Sequence, residues 1–183
     1  MLIQEKIGNL HDPGADPGAV PHVGANSDPR GREIDWVELE WYEADKRVLR
    51  KRTRSGRDLA LKFLGASPAF MQGDILYASE THLIAVEILP CEAIVVMPAS
   101  ALELASLCYE IGNKHLPLFW ENGELLAPFE APLFRWMTAA GYAARKEKRR
   151  LLQPLRTSVA AHAHTGGAGS LFSRIMQLAD PKE

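Results

Sequence analysis

The sequence predicts an α+β fold with an N-terminal all-β domain, a second domain that mixes strands and helices, and a C-terminal tail. Residues 34–89 alternate apolar and polar positions in short segments without a helical pattern, whereas after Cys91 strand patterns are separated by two helical patterns. The 183 residues are 46% hydrophobic and 24% charged, the composition of an ordinary globular protein. This composition excludes a wholly disordered chain.

The N-terminal domain is predicted to contain a flexible insertion and several short strands. Residues 8–33 hold five glycines and four prolines, which interrupt both helices and strands. Val37, Leu39 and Trp41 then alternate with polar residues and indicate a half-buried strand. Further strands are predicted at 47–54, 59–63, 75–77 and 82–89. The all-β domain is assigned to residues 1–78, with the flexible loop at 8–33.

The second domain is predicted to start with a strand over Cys91–Met97 and a helix. Ser100 and Glu103 form the pattern of a capping box at the start of this helix. Apolar residues recur at i, i+3, i+4 and i+7 of this helix, which predicts one buried face. Gly112 is predicted to end the helix as a left-handed residue. The buried positions are Leu104, Leu107, Cys108 and Ile111.

A hairpin, a second helix and a last strand complete this domain. The hairpin turns at Glu121-Asn122-Gly123, and the helix is opened by Pro132 and closed by Gly141. Residues 142–148 supply the last strand. The resulting order βαββαβ is that of a ferredoxin-like sandwich, which we assign to residues 79–152.

The tail, residues 153–183, carries two histidines and a short amphipathic helix candidate at Leu171–Leu178. His162 and His164 project to the same side of an extended segment, so they can close on one metal ion. The alternative is a tail without a binding role.

His115 follows a helix end, where the dipole favours a cation. One imidazole binds metal weakly, but a twofold axis in a homodimer would bring two copies of His115 together.

Charge, apolar runs and cysteines exclude several classes of protein. Residues 47–57 carry six basic residues without stacking aromatics, so we interpret them as a solvated strand and predict no nucleic-acid binding. The apolar runs are too short to span a membrane, and the N-terminus lacks a signal layout, which predicts a cytoplasmic protein. Cys91 and Cys108 are too few for a disulfide framework or a four-thiolate zinc site.

The sequence also lacks the common catalytic motifs, such as a nucleophile elbow, a phosphate-binding loop or a zinc-protease helix. It is therefore not expected to be an enzyme. A zinc hydrolase needs three fixed ligands and a general base, whereas each chain offers one fixed histidine.

Gly112-Asn113-Lys114-His115-Leu116-Pro117 resembles the Gly-Asn-Arg/Lys-His-x-Pro signature of the UreE family, the urease accessory nickel metallochaperones. The resemblance covers about residues 34–165. It includes the basic strand ending at Arg57, the Gly73-Asp74 step, the capped helix before the signature and the histidine-bearing tail.

This resemblance implies an N-terminal domain for partner contacts and a ferredoxin-like domain for metal binding and dimerisation. His115 matches the metal ligand at the dimer axis, and His162 and His164 resemble auxiliary ligands. Lys114 stands where arginine is commoner, which keeps the charge and loses the planar fork. The tail has no polyhistidine run, so a large nickel store is not expected.

The resemblance thus implies a homodimeric Ni²⁺ carrier that works with a urease accessory GTPase and the urease apoprotein assembly complex. Zn²⁺ or Cu²⁺ is expected to bind the same site in vitro. The alternative function is a metal-free adaptor that binds partners through the β domain and the basic strand.

Overall fold

The computed structural model describes residues 1–11, 26–28, 30–152 and 154–155, which form three β-sheets and two α-helices. The strands are β1 (Leu2–Ile3), β2 (Gly8–Asn9), β3 (Glu33–Leu39), β4 (Val48–Arg52), β5 (Asp58–Lys62), β6 (Asp74–Ala78), β7 (His82–Ile88), β8 (Cys91–Val96), β9 (Phe119–Glu121), β10 (Glu124–Pro128) and β11 (Arg145–Arg149). The helices are α1 (Ala101–Asn113) and α2 (Ala131–Ala139), and Trp41–Glu43 forms a 3-10 helix. The α+β class and the N-terminal β region are confirmed.

Two sheets pack face to face in the N-terminal half. One has the order β1-β5-β4 and the other β2-β6-β7-β3, in which β3 and β7 are parallel. Side chains of alternating positions meet between the sheets and form one apolar core, because successive residues of a strand face opposite sides. This core includes Val37, Leu39, Leu61, Ile84 and Val86.

Strand β3 is buried on both faces rather than on one. Ile34 and Trp36 pack with Leu10, Leu83 and Ala85 on the face opposite the sandwich core. The strand also ends at Leu39, before Trp41. The prediction that one face of this strand is exposed was therefore wrong. The apolar residues that cover this face come from distant parts of the chain, so the local pattern does not reveal them.

Strand β7 belongs to the N-terminal sheet, where it lies between β6 and β3. A domain boundary between residues 78 and 79 would separate β6 from its antiparallel neighbour. The change from one sheet to the next falls instead at Leu89–Pro90, since β8 pairs only with the later strands β10 and β11 in the described part of the chain.

The later half contains a four-stranded antiparallel sheet covered by α1 and α2. Its strand order is β11-β8-β10-β9. Leu107 and Ile111 of α1 and Leu133 and Met137 of α2 are at most 2% exposed and pack against the same face of the sheet. Neither helix of the described residues is long and apolar enough to cross a membrane.

Local signals place the ends of these elements. The Ser100 hydroxyl accepts a hydrogen bond from the Glu103 amide at 3.1 Å, as predicted, while the Glu103 carboxylate accepts from Ala99 at 3.0 Å. Asn122 and Gly123 have φ of 50° and 85°, which is the type I′ turn of a two-residue hairpin loop.

The two halves are in direct contact. Trp41 packs edge-on against Phe119 with ring centroids 5.8 Å apart. Arg150 donates to the carbonyl of Ile88 at 2.8 Å and to the carboxylate of Glu87 at 3.0 Å. A residue that follows the second sheet thus holds the end of β7 in the first.

Candidate metal site

His115 occupies a left-handed position at the C-terminal end of α1. Its φ is 56°, its amide donates to the carbonyl of Gly112 at 2.9 Å, and the Leu116 amide donates to that of Ile111 at 3.3 Å. This pair of hydrogen bonds is a Schellman motif. The helix continues to Asn113, and Gly112 is not left-handed. The prediction that Gly112 is the left-handed residue was therefore wrong, since that residue is His115, three positions later.

The second helix ends with the same motif. Gly141 has φ of 85° and donates to Thr138 at 3.1 Å, while Tyr142 donates to Met137 at 3.0 Å. Glycine is the usual residue at this position, because a side chain in the left-handed region costs about 1 kcal/mol or more. His115 takes the place that Gly141 takes in α2, so the helix end is closed at some cost in strain.

The environment of His115 suits a cation. The side chain is exposed, and the last carbonyls of α1 give this helix end a partial negative charge. The Lys114 ammonium lies 3.4 Å from the Glu110 carboxylate and 5.2 Å from the centre of the Trp136 ring. Trp136 was not predicted as a neighbour of the signature, since nothing in the sequence around it indicates this contact.

The outer face of α1 is apolar and exposed. Leu102 and Tyr109 are 78% and 70% exposed, and their spacing of two helical turns puts them on one face. Gly112 continues this face toward His115. Within the described part of the chain, nothing lies within 4 Å of where a Cβ on Gly112 would be.

The two cysteines are poor ligands at neutral pH. Burial raises the pKa of the Cys108 thiol, and burial together with the charge of Glu40 raises that of Cys91. Both are therefore thiols rather than thiolates, the form that binds metals. Both are partly exposed and pack at the edge of apolar clusters.

Of the predicted ligands, the described residues include His115 alone, and His162 and His164 lie outside them. Among the described residues, no three histidines, cysteines or acids come close enough to hold a metal ion together. His82 is occupied elsewhere, with its ring 3.2 Å from Glu33.

The basic strand faces acidic neighbours within the same chain, as predicted. Lys51 lies 2.6 Å from Glu43, Arg52 lies 2.9 Å from Asp58, and Arg54 lies 2.7 Å from Glu38. Most of these pairs are partly exposed, so each contributes little to stability. They nevertheless reduce the net positive charge that the strand offers to a partner.

Comparison with known proteins points to one family. The model of the "UreE urease accessory protein, N-terminal domain" matches residues 3–89, ending with β7. A urease accessory protein UreE from Flavobacterium johnsoniae is 44% identical over 152 residues, covering 83% of this chain and 92% of that protein. The protein of the same name from Actinobacillus pleuropneumoniae is 42% identical, covering 78% and 76%. That from Acetivibrio thermocellus is 32% identical, covering 73% and 86%.

Proposed function

Since this chain belongs to the UreE family of urease accessory proteins, we propose that it serves urease maturation as a homodimeric carrier of Ni²⁺. One ion would be shared by His115 from both subunits and completed by His162 or His164 and water. The protein would bind and release the ion without catalysing a reaction.

The exposed left-handed His115 at the end of an apolar helix face is the observation that carries this proposal. A face with Leu102 and Tyr109 exposed is suited to bury itself against a second copy. A twofold axis near the end of α1 would then bring two imidazoles together, and a single ligand per chain becomes two. The open space at Gly112 leaves room for such an approach.

The ligand set suits nickel that must later be released. Imidazole and oxygen ligands bind Ni²⁺ well, while Cu²⁺ binds more tightly and Zn²⁺ comparably, so both are expected to compete in vitro. Ligands from a tail can leave one at a time, which favours transfer over permanent storage. Selectivity in the cell would then depend on geometry and metal supply.

We assign metal binding and dimerisation to a ferredoxin-like unit formed by β8 to β11 with α1 and α2. Its βαββαβ order and strand order support this assignment. The N-terminal sandwich would contact partners, namely a urease accessory GTPase and the urease apoprotein assembly complex. A site of action in the cytoplasm is part of the same proposal, as is a tail that begins near residue 153.

The decisive experiment measures bound Ni²⁺ and molecular mass on the same sample. We expect one tightly held Ni²⁺ per dimer. His115→Ala should remove two ligands at once, abolishing tight binding while the dimer persists, because the interface is apolar. His82→Ala, which changes an exposed histidine remote from α1, is the matched control and should bind as the unaltered chain does.

A metal-free adaptor would give a different result in the same experiment. It would bind no Ni²⁺ tightly in either the unaltered chain or His82→Ala. A monomeric His115→Ala protein, or one that keeps a tight Ni²⁺ per dimer, would likewise contradict a shared site at His115.

A further inference from the structure

An apolar cavity of about 480 Å³ lies where the two halves of the molecule meet. Its walls include Trp41, Phe70 and Ile88 from the first half and Phe119 and Leu151 from the second. A cavity of this size with mostly aromatic and aliphatic walls has the character of a binding site.

The mouth of the cavity exposes large apolar side chains to water. Tyr42 and Met71 are each 55% exposed, whereas Phe70, Ile88 and Leu151 beneath them are at most 4% exposed. Such a patch at the rim of a concave surface indicates that another apolar group covers it.

The chain itself leaves the described part at this mouth. Pro154 lines the cavity and bridges to Phe119, and the Leu155 amide donates to the carbonyl of Leu118 at 2.8 Å. The described part of the chain therefore ends beside the cavity, and residues 156–183 follow in the sequence. They include the apolar positions Leu171, Phe172, Ile175, Met176 and Leu178, which share one side of a helical pattern.

We propose that the segment Leu171–Leu178 of the same chain docks in this cavity. The linker 156–170 can reach about 50 Å when extended, so length does not prevent its return. Tethering gives the segment an effective concentration on the order of millimolar, which a separate molecule rarely matches. Asp45 is the charged residue of the lining and Arg174 that of the segment, so their charges are complementary.

Docking would also hold the tail histidines close to the proposed metal site, a consequence that rests on the proposed function. With both of its ends at the cavity, the linker 156–170 becomes a closed loop that carries His162 and His164. Pro117 lines the same cavity and lies two residues beyond His115. Closing the loop raises the local concentration of both imidazoles near His115.

The test uses the full chain without metal and an apolar dye that fluoresces when bound in apolar cavities. Ile175→Asp places a charge on the apolar side of the segment and should free the cavity, giving a several-fold rise in dye fluorescence. Gln177→Asp adds the same charge on the polar side and should leave the fluorescence low. Adding Met71→Glu at the rim to Ile175→Asp should remove the rise.

Amide hydrogen exchange gives a second measurement on the same proteins. Exchange at Trp41–Asp45 and Ala69–Met71 should accelerate in Ile175→Asp and stay unchanged in Gln177→Asp. Equal dye binding and equal exchange in all variants would overturn the proposal, because the cavity would then be open in the full chain. A dye signal that falls with rising protein concentration in the unaltered chain would also overturn it, since the segment would then come from a second copy.

The outcome is independent of nickel binding. His115→Ala should show the dye fluorescence of the unaltered chain whether or not it binds Ni²⁺. A failure of the docking proposal is therefore distinguishable from a failure of the proposed function.

Discussion

His115 adopts a backbone conformation that suits glycine better than histidine, as the comparison with Gly141 shows. Histidine is tolerated there more readily than branched residues, yet some strain remains. Strain of this kind persists where a side chain has another use. The helix end would be more stable with glycine, and the exposed imidazole would then be lost.

His115→Gly is expected to raise the free energy of unfolding by about 0.5–1 kcal/mol, the balance of relieved strain against the greater freedom of glycine in the unfolded chain. His115→Ala keeps the Cβ and therefore the strain, so its stability should stay near that of the unaltered chain. Urea unfolding of the metal-free proteins measures both. Neither variant should bind Ni²⁺ tightly.

The matched control places a side chain at the equivalent left-handed position of α2, which is Gly141. Gly141→Ala introduces the strain at the equivalent position and should lower the free energy of unfolding by about 1 kcal/mol. If His115→Gly proves less stable than His115→Ala, the Cβ is not strained at this position and the strain argument fails.

At the scale of elements, the sequence predicts the features that depend on neighbouring residues. Ser100, the Asn122-Gly123 turn and the closure of α2 by Gly141 are confirmed, because each uses a local hydrogen bond or a left-handed backbone that few residues adopt. His115 could be identified as a candidate ligand because it lies in a signature of six consecutive residues, Gly112 to Pro117.

What the sequence did not predict depends on contacts between distant residues. Gly112 was expected to be the left-handed residue, since glycine is the commonest choice, but His115 takes that role. Burial of Trp36 depends on Leu83 of β7, and Lys114 meets Trp136 of the other helix. The part played by His162 and His164 stays a prediction, because both lie outside the described residues.

The hairpin β9–β10 is tied to β11 by an acid between two arginines. Glu124 accepts from Arg145 at 2.6 Å and from Arg149 at 2.9 Å. The hydrogen bond from Arg149 lowers the pKa of Glu124, partial burial raises it, and Arg145 lowers it further, so the net shift is downward. A carboxylate with a lowered pKa stabilises the fold above its unfolded pKa, and this contribution is lost as the pH falls through the folded value.

Glu124→Gln should therefore lower the free energy of unfolding at pH 7 by about 0.5–1 kcal/mol, because the side chain is largely covered but the pair is close to solvent. The difference from the unaltered chain should shrink as the pH is lowered below the ordinary range of glutamate. Urea unfolding at pH 7 and in acid checks this. A difference that is the same at both pH values would show that charge is not the cause.

At the scale of the whole molecule, Glu87 connects the two halves. Its side chain is 6% exposed, and its two oxygens accept from Arg54 of the first half and Arg150 after β11. Such a nearly buried carboxylate depends on its partners, since losing one leaves an oxygen without compensation. The ion pair between Glu87 and Arg150 therefore couples the stability of the N-terminal sandwich to that of the later sheet.

Arg150→Met keeps much of the side-chain volume but removes both hydrogen bonds to β7. We expect a loss of about 1–3 kcal/mol and a broader or divided transition in calorimetry, because the two halves would no longer unfold together. Lys148→Met, which removes an exposed charge from the adjacent strand β11, should leave a single transition. A single sharp transition in Arg150→Met would mean that packing of Trp41 on Phe119 couples the halves without this link.

The parallel pairing of β3 with β7 also determines when the N-terminal sandwich can form during synthesis of the chain. Glu33 lies opposite His82 and Leu39 opposite Ile88, so this pair closes a loop of roughly fifty residues. The sandwich cannot be completed before β7 has been synthesised, whereas the β9–β10 hairpin needs only its two-residue turn. Until β7 has been synthesised, apolar β3 lacks the strand that pairs along its whole length and is exposed to chaperones or to the wrong partner. The pace of the ribosome between residues 39 and 88 therefore bears on how much of the protein reaches its native state.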